Sequence, residues 1–107
     1  MRLYGLKACD TCRAAAKALQ AAGHDVDFVD VRATPLDPAL QARFLEAFGD
    51  RLINRRSTTW RGLTPEAREA GPAALLSAHP ALMKRPVIDA GEALYLGWDA
   101  TVRSALL

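Results

Sequence analysis

The 107-residue chain predicts an α/β fold with one mixed sheet, in which helices are inserted between a βαβ half and a ββα half. Three observations carry this. The apolar run Arg2-Leu3-Tyr4-Gly5-Leu6 gives way to helical spacing and then to an alternating, β-branched stretch at 26–31, which reads as strand, crossover helix and parallel strand. Residues 86–89 and 93–96, joined around Ala90-Gly91-Glu92, read as an antiparallel hairpin. Between these halves the chain carries helix start and stop signals and no strand pattern.

The elements follow in order. The first strand covers 2–6. A helix over 11–22 follows, with Asp10 expected as its N-cap, accepting from the N–H of Cys12 or Arg13, and Gly23 as its C′ residue. The second strand is expected at 26–31. After a turn at 33–38, Asp37-Pro38 supplies an N-cap and a first helical residue, and Leu40, Phe44, Leu45 and Phe48 keep helical spacing until Gly49. Thr64-Pro65 opens a short helix that ends at Gly71-Pro72, and a further helix runs from Ala73 to Ala78, before Pro80. The hairpin comes next, and a last helix is expected over 98–107. This order suggests an enlarged thioredoxin-like sheet with parallel and antiparallel strands.

Half of the residues are hydrophobic, which is enough for the core of a single domain over 1–107. The N-terminus lacks an uninterrupted apolar segment and no stretch reaches membrane-span length, so a cytoplasmic protein without membrane association is expected. A net charge of +2 does not mark a nucleic-acid binder.

Cys9 and Cys12 hold the first chemical signal. A thiol on the loop feeding a helix meets unpaired N–H groups and the positive end of the helix dipole, which favour the thiolate. Zinc would need two more ligands, and the chain offers only His24 and His79, which are not spaced as a pair. A structural disulfide would close a very small loop and add little stability. What remains is a redox or nucleophilic pair, with two small packed residues as the plainer reading. In the first case Cys9 is the attacking sulfur, Lys7 a nearby cation that lowers its pKa, and Cys12 a resolving thiol.

Arginine holds the second signal. Arg51, Arg55, Arg56 and Arg61 fall close together, and Lys84-Arg85 precedes Pro86. Such groups bind oxyanions and carboxylates through forked hydrogen bonds, although Arg51, Arg55 and Arg61 read individually as a solvated basic face. A strand entering beside the first one would carry Arg85 towards the cysteine loop. Trp60 and Trp98 read as partly buried packing residues, and His24 and His79 as surface or capping residues.

Four segments taken together, Leu3 to Arg13, Asn54 to Arg61, Lys84 to Ile88 and Leu96-Gly97-Trp98, resemble the arsenate reductase (ArsC/Spx) family, and its YffB-like branch in particular. The resemblance implies a thioredoxin-like core with a cis proline before the third strand. By position it makes Cys9 the nucleophile, Arg56 the mid-chain anion-binding arginine and Arg85 the arginine preceding the cis proline, Pro86, with the three converging. It implies glutathione as co-substrate, glutaredoxin as a partner, a small oxyanion or disulfide substrate, and no permanently bound cofactor or metal. The chain departs from the family's reductases in carrying Gly5-Leu6-Lys7-Ala8 where they have a His-Asn-Pro stretch, which puts arsenate itself in question as substrate. Its Cys-x-x-Cys is typical of the family's Spx-like regulators, so a redox sensor that binds RNA polymerase is the alternative.

Overall fold

The computed structural model describes residues 1–107 and forms two compact units, Met1–Thr34 with Arg85–Leu107, and Pro35–Lys84. The first holds strands β1 (Arg2–Gly5), β2 (Asp27–Asp30), β3 (Val87–Asp89) and β4 (Leu94–Leu96), with helices α1 (Asp10–Ala21) and α6 (Ala100–Leu106). The second holds helices α2 (Pro38–Phe48), α3 (Thr58–Arg61), α4 (Pro65–Arg68) and α5 (Pro72–Ala78), with 3-10 turns at Gly49–Leu52 and Pro80–Leu82.

The sheet order is β2-β1-β3-β4. β1 pairs parallel to β2, from Arg2 opposite Asp27 to Gly5 opposite Asp30. It pairs antiparallel to β3, which in turn pairs antiparallel to β4. The mixed sheet with a helical insertion is therefore the fold observed. Leu3 and Ile88 lie side by side on one face of the sheet, and Cys12, Ala15, Ala16 and Leu19 recur at helical spacing along α1, so the two patterns meet in one core. Val102 of α6 completes it, with Phe28, Tyr95 and Trp98 packed at its margin. Each fully buried leucine or isoleucine here contributes roughly 1.5–3 kcal/mol relative to exposure.

Helix α1 starts one residue before its expected first turn. Cys9, not Asp10, is the N-cap residue: its extended backbone places its C=O to accept Arg13 N–H at 3.1 Å, and Asp10 is already helical, with its carboxylate turned to Arg13. At the other end Gly23 takes φ 93°, and His24 N–H to Leu19 O with Gly23 N–H to Gln20 O, both 3.0 Å, form a Schellman cap. His24 Nε2 also meets Leu106 O at 2.8 Å, tying the end of α1 to α6. The last helix starts later than expected, because Gly97 turns with φ 83° and Asp99 then caps, accepting Val102 N–H at 3.0 Å.

Within the inserted unit Asp37 caps α2 by accepting Leu40 N–H at 2.8 Å, and Thr64 and Ser57 cap α4 and α3 in the same way. Ile53 and Met83 form an antiparallel bridge flanked by Asn54 N–H to Leu82 O and Lys84 N–H to Leu52 O. Phe44, Leu52, Leu75, Leu76 and Leu82 are buried around it.

Candidate active site at the start of the first helix

The end of β1 fixes the geometry. After Gly5 the chain turns through Leu6–Cys9, closed by Cys9 N–H to Leu6 O at 3.0 Å, and enters α1. Cys9 is half-buried at the helix start and Cys12, one turn in, is fully buried; neither sulfur is bridged. Close approach of β1 to α1 requires a glycine at position 5, because a Cβ there would lie 2.5 Å from Cys12 Sγ.

The same environment acts on the two thiols with opposite outcomes. Burial pushes the Cys9 thiol up, but the N–H and thiol of Cys12 and the hydrogen bond and charge of Arg85 outweigh it and bring the pKa below the ordinary value. The sulfur makes no hydrogen bond of full cap geometry, yet it lies near enough to Cys12 N–H for that dipole to favour the anion. Burial pushes Cys12 up, the Leu6 N–H opposes this, and the neighbouring Cys9 adds to the rise, so that it reaches about 12.

Arg85 precedes Pro86 in a cis peptide bond, and Pro86 O accepts Gly97 N–H at 2.8 Å, which fixes the entry to β3. Arg85 Nε is buried. Cys9, Cys12 and Arg85 are thus brought together from two separated segments of one unit, with Pro86 next in the chain after Arg85. The Lys7 side chain is exposed and is not among the main influences on Cys9; its charge and backbone N–H act on Asp30. Arg56 lies in the inserted unit with an exposed side chain, and its N–H donates to Asn54 Oδ1 at 3.1 Å.

The other arginines of that segment have local work. Arg51 lies over the Phe48 ring, and Arg55 and Arg68 each lie 5.4 Å from the centre of the Trp60 ring. Arg68 also donates to Trp60 O and Arg61 O. Sequence reasoning passed over Asp30 at the end of β2, whose carboxylate accepts three backbone N–H groups. Its signal was an Asp at the point where a strand breaks into a turn. No group of three or more metal-ligating side chains is present.

The ArsC family model matches residues 4–105. The chain belongs to the ArsC family. Family membership together with its arsenate-reductase-related structural neighbours supports a thiol-dependent oxidoreductase. It is similar to the solved structure of the protein YFFB, at 30% identity and a TM-score of 0.85, over 99% of this chain and 97% of that one. It is also similar to an arsenate reductase (ArsC) related protein from Brucella melitensis, at 33% identity and a TM-score of 0.75, over 97% and 91% of the two chains. Among curated proteins it is 37% identical over 93 residues to an uncharacterized protein of Haemophilus influenzae, covering 80% of each.

Proposed function

We propose that this ArsC-family chain is a glutathione-dependent thiol reductase in which the Cys9 thiolate attacks an oxidised sulfur, with Arg85 binding negative charge on the substrate or on glutathione. The observation that carries the reading is Cys9 at the start of α1, half-exposed and held below the usual thiol pKa against burial by Cys12 and Arg85. With a disulfide as substrate, the Cys9 anion forms a bond to one sulfur and the other leaves as a thiolate. A glutathione thiolate then attacks the mixed disulfide, releases Cys9 as thiolate, and leaves as the new disulfide.

Cys12 is a poor resolving group while its pKa stands near 12. An adduct on Cys9 removes that sulfur's charge, but burial, the largest influence on Cys12, stays. This favours an external thiol as resolver and gives Cys12 the role of donor to the Cys9 anion. A disulfide is favoured over arsenate because no histidine stands in the Leu6–Cys9 turn.

The test is glutathione-coupled turnover of a small disulfide by wild type, Cys9→Ser and Cys12→Ser. Loss of turnover in Cys9→Ser with retention in Cys12→Ser is expected. Turnover surviving Cys9→Ser would overturn the reading, and loss in Cys12→Ser with an accumulating Cys9 adduct would make Cys12 the resolver.

A further inference from the structure

We infer that Asp30 is a positioning residue for Cys9: its carboxylate clamps the Leu6–Cys9 turn to the end of β2 and so holds the sulfur against its donors. The inference rests on the thiolate reading above.

The β1–β2 ladder ends at Gly5 opposite Asp30, with Val31 N–H to Gly5 O at 2.9 Å. Past Gly5 the connection to β2 passes to the side chain of Asp30, whose Oδ2 accepts Lys7 N–H at 3.0 Å. Its Oδ1 accepts Arg32 N–H at 2.9 Å and Ala33 N–H at 3.2 Å, and Thr34 N–H reaches Asp30 O at 2.8 Å. One carboxylate thus joins the turn before the nucleophile to the turn leaving β2. Lys7 is the second residue of the Leu6–Cys9 turn, so its position fixes where Cys9 enters α1.

Charge and position predict opposite results. As a bare anion Asp30 opposes the Cys9 thiolate, so removing its charge would lower the Cys9 pKa. As a clamp it maintains the approach of Cys9 to Cys12 and Arg85, so breaking it raises the pKa. Asp30→Asn is nearly isosteric but has one acceptor oxygen, which cannot serve both Lys7 and the Arg32–Ala33 pair. Lys7→Pro deletes the N–H at a turn position that favours proline and leaves the carboxylate in place. Lys7→Ala removes the ammonium and keeps the N–H.

The experiment is the pH dependence of Cys9 alkylation by iodoacetamide, followed by mass spectrometry, with thermal melts of each variant. Asp30→Asn and Lys7→Pro are expected to raise the Cys9 pKa and slow neutral-pH alkylation by roughly threefold or more, while Lys7→Ala stays close to wild type. A pKa unchanged or lowered in Asp30→Asn and Lys7→Pro, or raised equally by Lys7→Ala, overturns the clamp and leaves the thiolate reading standing. Should Asp30→Asn fail to fold, Lys7→Pro against Lys7→Ala decides the matter. An ordinary thiol pKa for Cys9 in the wild type overturns both.

Discussion

Burial pushes both Cys9 and Cys12 up, and the donors around them decide which becomes the anion. Arg85 acts on Cys9 through a hydrogen bond and through its charge, so Arg85→Ala is expected to raise the Cys9 pKa and reduce disulfide turnover. A charge-assisted hydrogen bond contributes about 1.5–3 kcal/mol, so the loss in turnover is roughly ten- to a hundredfold. Arg85→Lys restores the charge without the fork and is expected to recover part of it. Gly5 governs the same site by packing. A Cβ at 2.5 Å from Cys12 Sγ and 3.1 Å from Cys12 Cβ must displace β1 from α1, and Gly5→Ala is expected to cost about 1–3 kcal/mol. Chemical denaturation of Gly5→Ala, Cys12→Ala and the double variant checks this. The double variant is expected to be more stable than the sum of the single losses predicts, because the clash needs both atoms.

Among the elements, the helices with an Asp or Thr before proline were legible because the signal and its cause are local. Asp37-Pro38 and Thr64-Pro65 each need only one side-chain oxygen and one N–H three residues on. Asp37→Ala and Asp99→Ala each remove such an acceptor and are expected to destabilise the protein by about 1 kcal/mol in urea unfolding. The Asp99 variant is also expected to loosen the His24 to Leu106 contact that depends on α6. The start of α1 was misread for an equally definite reason. Asp10 has the side chain of a cap, yet the turn closed on Leu6 O brings Cys9 into the extended conformation first, and the cap position belongs to a residue with weaker capping chemistry. Ser57 was missed as a cap because α3 is a single turn too short to show periodicity. The hairpin, the parallel βαβ pair and the residue pair Cys9 and Arg85 could be read because strand pairing brings them together. Asp30 could not, since its value lies in two loops folding onto one carboxylate.

For the whole molecule, the two thiols give stability a pH dependence with a predictable shape. The folded Cys9 pKa is lowered, so Cys9 contributes stability above the unfolded thiol pKa of about 8.5, and this is lost as pH falls through its folded value. Cys12 works in the other direction: the folded chain keeps its proton up to about 12, so its contribution is complete below the unfolded value and is lost as pH rises from there. Together they make stability rise with pH on the acid side of the ordinary thiol value and fall on the alkaline side, with a limiting slope of about 1.4 kcal/mol per pH unit for each group. Asp30, whose pKa is lowered chiefly by Lys7 N–H, adds a contribution that disappears only in acid, as pH falls through its folded value. Urea unfolding under reducing conditions across this range is expected to show the alkaline fall weakened in Cys12→Ala and the acid-side rise weakened in Cys9→Ser. Removal of Cys9 relieves its own effects on Cys12 but leaves burial in place, so the alkaline fall persists in Cys9→Ser. An alkaline slope identical in wild type and Cys12→Ala would mean that the buried thiol ionises as it does in the unfolded chain, and the distinction between the two sulfurs would fail with it.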